Sequence, residues 1–185
     1  DRIGMKFVLQ KDMKITNYCL HEMLKNNEIV IYGDTCTDSC PRAGTISFNI
    51  KELNHGIVAA ILNDYFNIAV RNECFCAHPY VEKMLELTHS EQIAKAKSIP
   101  DKISWNTEPW MGMVRVSFGL YSNKKHVDIF IEALNNIIKN RKEFEKLYTI
   151  NIHGEYVHKQ FSFSSKDYFS LTDTINKEIK SNISS

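Results

Sequence analysis

The sequence predicts an α/β (α+β) sandwich: a mixed or antiparallel sheet with its helices packed mainly on one face. Apolar residues recur at helical spacing in several separate stretches, and short β-branched runs with period-two alternation lie between them. The order helix, strand, strand, helix, strand, strand, helix suits a layered sheet rather than a bundle or a barrel. A chain of 185 residues is also long enough to bury the core of one domain with some further elements.

The elements follow in order. Residues 3–26 carry Ile3, Phe7, Val8, Ile15, Tyr18, Cys19, Met23 and Leu24 on a helical repeat. Asp1 stands inside that pattern, which predicts a chain cut from something longer. Glu28 to Gly33 (EIVIYG) is short and β-branched and reads as a strand, and Asp34 to Arg42 reads as a loop. Gly44 to Ile50 (GTISFNI) alternates as a half-buried strand should. Ile57, Val58, Ile61, Leu62, Tyr65 and Phe66 mark one face of a helix with Asn54 as N-cap and Asn67 at the left-handed C-terminal position. Ile68 to Val70 reads as a short strand ending at Arg71. Residues 79–98 read as one or two helices, and 99–110 as a loop with two prolines and two tryptophans. Gly112 to Phe118 (GMVRVSF) is the last clear strand of the core. Asn123 or Ser122 caps a long amphipathic helix carrying Val127, Phe130, Ile131, Leu134, Ile137 and Ile138. Tyr148 to Phe163 is patterned as a hairpin around Gly154, and a short helix near 168–180 closes the chain.

Composition excludes some functions. A formal charge of +1, with Lys and Arg spread along the chain, argues against a nucleic-acid binder held by electrostatics. No apolar stretch approaches membrane-spanning length, and no signal peptide is visible. Five cysteines is an odd number with no sign of secretion, so reduced thiols and a cytoplasmic location are expected.

Two stretches put chemistry at the ends of apolar strands. Arg115 lies inside GMVRVSFGLYS, where a buried cation costs free energy unless it meets an anion. Its guanidinium fork suits a carboxylate held by two parallel hydrogen bonds, and an internal ion pair with an Asp or Glu is the equal alternative. The other stretch is AVRNECFCAHPY, residues 69–80. Cys76 is the candidate nucleophile there, since Arg71 and a helix starting near Tyr80 could lower its thiol pKa. The competing reading is a small buried hydrophobe, the commoner fate of a free cysteine. Cys36, Cys40, Cys74 and Cys76 could supply four thiolates to zinc, but a one-residue gap rarely turns both sulfurs to one ion. His78, two residues after Cys76, is placed to affect a thiol or a ligand, or else faces solvent. His55, near a helix start, reads as a local hydrogen-bond partner.

Taken together, GTISFNI, His55 with its helix, NIAVRNECFCAHP and GMVRVSFGLYSNKKHVDIFIEAL follow one another at familiar distances. This series resembles the small C-terminal domain of class V aminotransferase-fold enzymes. These fold-type I pyridoxal-phosphate (PLP) proteins include cysteine desulfurases and selenocysteine lyases. The resemblance covers most of residues 1 to about 139. It implies a helix leading in from a large domain over 1–26, the small domain over 27–139, and a C-terminal extension over 140–185. Arg115 matches the arginine that binds the substrate carboxylate, and Arg71 matches one beside the same active-site mouth. Cys76 matches the cysteine that takes up sulfur as a persulfide, with Cys74 as a neighbour packed beneath it. His55 matches a histidine of structural role. Glu73 stands where relatives usually have glycine.

The resemblance further implies pyridoxal phosphate in a longer parent enzyme, an amino-acid substrate such as cysteine, a sulfur-acceptor protein and a homodimer. The Ser/Thr-x-His-Lys type motif that holds the cofactor is missing here. The only His-Lys pair is His158-Lys159, in the extension, so this stretch by itself should bind no cofactor and be inactive. Two alternatives stand beside this reading. One is a class V aminotransferase relative of other specificity with structural cysteines; the other is a stand-alone interaction or metal-binding module.

Overall fold

The computed structural model describes residues 3–37, 43–86 and 112–161. Helix α1 (Met5–Met23) is followed by strands β1 (Ile29–Tyr32) and β2 (Thr45–Ile50), then helix α2 (His55–Phe66). Strand β3 (Arg71–Glu73), helix α3 (His78–Met84) and strand β4 (Met113–Ser117) come next. Helices α4 (Lys124–Lys139) and α5 (Arg141–Leu147) and the hairpin strands β5 (Tyr148–Ile150) and β6 (Tyr156–His158) complete the described chain. The main sheet runs β1-β2-β4-β3, and every neighbouring pair in it is antiparallel.

Period-two alternation sorts the sheet into two faces. Ile46, Phe48 and Ile50 of β2 and Val114 and Val116 of β4 are buried in one core with α1, α2 and α4. Helix α4 brings Val127, Phe130, Leu134 and Ile137 to that core on helical spacing, and Phe48 meets Phe130 edge to face with centroids 5.9 Å apart. Helix α1 buries only its C-terminal half, through Thr16, Cys19, Leu20 and Met23. Its first turns leave Met5, Phe7 and Leu9 exposed among the described residues.

The expected caps are present. Asn54 Oδ1 accepts from Gly56 N–H at 2.7 Å, and Asn123 Oδ1 accepts from His126 N–H at 3.3 Å. Asn67 takes φ 54° and closes α2, with its own N–H on the Asn63 carbonyl and Ile68 N–H reaching back to Leu62. That closure moves the strand expected over 68–70. Ile68 is held by the cap, and a cleft of about 380 Å³ lined by Ile68, Ala69, Val116 and Ser117 opens where those residues would pair. Pairing with β4 begins only at Arg71.

The elements after residue 139 pack into the same core, because Phe144 and Tyr148 are buried in it. Arg141 ties them down: its guanidinium reaches Glu28 at 2.6 Å, Glu52 at 3.1 Å and the Lys51 carbonyl at 3.1 Å. The expected hairpin turns at Gly154, φ 79°. It docks on α2 through Tyr148 Oη–Asp64 Oδ2 at 2.9 Å and Tyr65 Oη–His158 Nε2 at 2.9 Å. The helix expected over 168–180, the loop over 99–110 and most of the helical stretch over 79–98 lie outside the described residues.

Candidate functional site

On the sheet face turned away from the helical core, strand register sets Tyr32, Ser47, Arg115 and Arg71 in one row across all four strands. The pairs are Tyr32 with Ser47, Ser47 with Arg115, and Arg115 with Arg71. Directly opposed residues in antiparallel strands project to the same face, so both arginine side chains leave the sheet on one side. Among the described residues, neither arginine has a carboxylate partner, which leaves the internal ion pair for Arg115 without a candidate. Arg115 Nε is buried and has no hydrogen-bond partner among the described residues. Its Cζ lies over the Phe75 ring, 4.9 Å from the centroid, a cation–π contact.

Phe75 comes from the turn that follows β3. Glu73, Phe75 and Cys76 have φ of 85°, 53° and 61°, the left-handed region that L-residues avoid. The turn closes with Ala77 N–H donating to the Cys74 carbonyl at 2.7 Å. This winding sends neighbouring side chains apart. Cys74 is buried with Val81 and Met113, and Tyr32, Phe75, Met84 and Leu85 pack on them. Cys76 is exposed at the tip, two residues before α3 begins at the exposed His78. Such concentrated backbone strain is a recurring mark of functional loops.

Glu73 also explains why glycine suits its position: only glycine takes φ near 85° without a steric penalty. Glu73→Gly is therefore expected to stabilise the chain by about 0.5–1 kcal/mol, the relief of strain outweighing the added freedom of the unfolded state. Urea unfolding of the two proteins checks this, and a lower midpoint in the glycine variant would refute it.

Beneath the turn, Asn49 on β2 fixes the start of β4. Its Nδ2 donates to the Gly112 carbonyl at 2.9 Å and to Tyr32 Oη at 3.2 Å, and its Oδ1 accepts from Val114 N–H at 3.3 Å. Behind the sheet, His55 opens α2 with 1% of its surface exposed and Nδ1 3.4 Å from Asn72 Nδ2. Burial pushes its pKa down to about 4, so the ring is neutral near pH 7. Burial likewise pushes the Cys19 thiol up to about 12.

Sequence reasoning missed Phe75 and Asn49. Asn49 carried only a weak signal, since it is one of three polar residues on the alternating face of β2. Phe75 carried none, since its contact depends on the turn.

Among the described residues no three His, Cys, Asp or Glu side chains group as metal ligands. Cys74 and Cys76 differ in burial, and Cys40 lies outside the described residues. Lys159 of the His-Lys pair donates to the Lys146 carbonyl at 2.6 Å, and His158 Nδ1 accepts from Gln160 and Phe161 N–H. Those groups hold the hairpin together and do not fit a pyridoxal-phosphate anchor. Among the described residues no helix is long and apolar enough to cross a membrane.

An antiparallel sheet that carries two opposed arginines on one face, beside a cysteine turn with left-handed residues, defines this α/β domain. Residues 1–130 match the Aminotransferase class-V family model, and the chain belongs to that family. It is 26% identical over 148 residues to a probable cysteine desulfurase of Staphylococcus epidermidis, a match covering 78% of this chain and 27% of that protein. A molybdenum cofactor sulfurase of Bombyx mori is 24% identical over 159 residues, covering 78% of this chain and 19% of that protein. Among solved structures, an apo cysteine desulfurase from Thermococcus onnurineus NA1 superposes with a TM-score of 0.56 at 27% identity, covering 75% of this chain and 28% of that one. The chain thus spans about a quarter of the length of the relative from Staphylococcus epidermidis. The fold is that of a domain of a fold-type I pyridoxal-phosphate enzyme, and the chain is cysteine desulfurase-like.

Proposed function

We propose that the chain acts as the small C-terminal domain of a pyridoxal-phosphate-dependent cysteine desulfurase-like enzyme, holding the substrate carboxylate and accepting its sulfur. The observation that carries this reading is the exposed Cys76 on a strained turn whose Phe75 lies against Arg115. In this reading Arg115 takes the carboxylate through its N–H fork, with Arg71 beside it at the mouth of the site. Cys76 takes up the sulfur as a persulfide, and Cys74 serves as the apolar floor of the turn. His78 borders Cys76 from the start of α3. Residues 1–26 lead in from a large domain that carries the cofactor, 27–139 form the small domain and 140–185 the extension. This stretch alone is then inactive, and the parent works as a cytoplasmic homodimer that hands sulfur to an acceptor protein.

The test uses the enzyme with the cofactor-binding domain present and pyridoxal phosphate bound. Given L-cysteine, it should release alanine, and Cys76→Ala should abolish that release while Cys74→Ala retains it. Alanine formation unchanged in Cys76→Ala would remove the sulfur-acceptor role. No alanine from the intact enzyme would instead favour amino-group transfer with structural cysteines.

A further inference from the structure

We propose that Phe75 is a positioning residue: its ring orients the Arg115 guanidinium for a carboxylate and links carboxylate binding to the Cys76 turn. The inference rests on the carboxylate role proposed for Arg115 and adds a residue that has no contact with the substrate.

Three observations meet at Phe75. The Arg115 Cζ lies over its ring at 4.9 Å, while Arg115 Nε is buried without a hydrogen-bond partner among the described residues. A guanidinium stacked on an aromatic face keeps its fork of N–H donors for an anion, so ring and carboxylate do not compete. The ring is itself supported, because Phe75 packs against the buried cluster of Cys74, Val81 and Met113. Finally, Phe75 and Cys76 are consecutive left-handed residues, φ 53° and 61°, in one closed turn. Ring and thiol thus stand on adjacent residues of one turn closed by the Ala77 N–H on the Cys74 carbonyl, so a force on the ring is passed to the thiol through that turn. Carboxylate occupancy that steadies Arg115 therefore also steadies Cys76.

The full chain tests this with propionate as the carboxylate probe and neutral iodoacetamide as the thiol reagent, alkylation being read at Cys76 by mass spectrometry. Propionate is expected to slow alkylation of Cys76 in a saturable way, and Arg115→Gln to remove the effect. Phe75→Leu, which keeps apolar bulk without a π face, should raise the half-saturating concentration about threefold. Phe75→Tyr should restore it. Phe75→Met serves as a second variant lacking the ring should Phe75→Leu lose the circular dichroism of the folded chain. Half-saturation unchanged in the ring-less variants, with the effect still lost in Arg115→Gln, would overturn the role of Phe75 and leave Arg115 as the carboxylate site. No propionate effect in the unmodified chain would overturn both.

Discussion

Gly112→Ala is expected to destabilise the chain by about 2–3 kcal/mol, through overpacking where β4 begins. A Cβ on Gly112 would stand 2.6 Å from His55 Nε2 and 2.8 Å from the Glu73 Cα. Neither neighbour yields easily. His55 is buried at the start of α2, and the Glu73 atom is backbone of a strand paired to β4. Nor can Gly112 withdraw, because Asn49 holds its carbonyl and the N–H of Val114. The added methyl must push β3 away at Glu73, the residue where the cysteine turn begins. Thermal unfolding should fall by about 5–10 °C, and alkylation of Cys76 should change rate in conditions where the variant is still folded. An unchanged melting temperature would show that the contact relaxes freely and that the Gly112 approach does not constrain the turn.

The second large effect is on pH dependence. His55 is neutral when folded, with its pKa held at about 4 by burial against an ordinary value of 6.5. The unfolded chain therefore binds the proton first as pH falls. Stability from this group is complete above about pH 6.5, is lost progressively as pH drops from 6.5 toward 4, and changes no further below that. The full amplitude is about 3 kcal/mol, from the 1.36 kcal/mol that each pKa unit represents. Urea unfolding at intervals between pH 7 and pH 4 measures it, with His55→Gln as the control that should flatten this window. An equally steep decline in the variant would assign the acid sensitivity to other groups.

In the intact enzyme proposed here, both effects act behind the sheet and reach the site through β3 and β4. Arg71 and Arg115 stand on those two strands, and Cys76 hangs from the end of β3. Stability and site geometry are thus coupled by the same two strands. A destabilised His55 corner should first be felt as a loosened cysteine turn.

Local interactions made much of this legible in the sequence. Asn54, Asn67 and Asn123 act within a few residues of themselves, so their caps could be read from spacing alone. The alternation of β2 and the helical repeat of α4 likewise sort core from solvent without knowledge of any partner. The quoted motifs carried the family and the candidates Arg71, Cys76 and Arg115. The start of β3 was misjudged because the left-handed closure of α2 and the pairing with β4 compete for residues 68–70, a competition that local propensity does not describe.

What only the tertiary structure decided is the company these residues keep. Strand register, set by pairing across distant segments, places Arg115 opposite Arg71 and both beside Ser47 and Tyr32. Three left-handed residues, none a glycine, part Cys74 from Cys76 and lay Phe75 on Arg115. The sequence by itself determined most of the described elements, the family and the candidate residues, because those depend on short-range periodicity and motif. Burial of Cys74, exposure of Cys76 and the ring over Arg115 belong to the fold, because each depends on how β3, β4 and α3 come together in space.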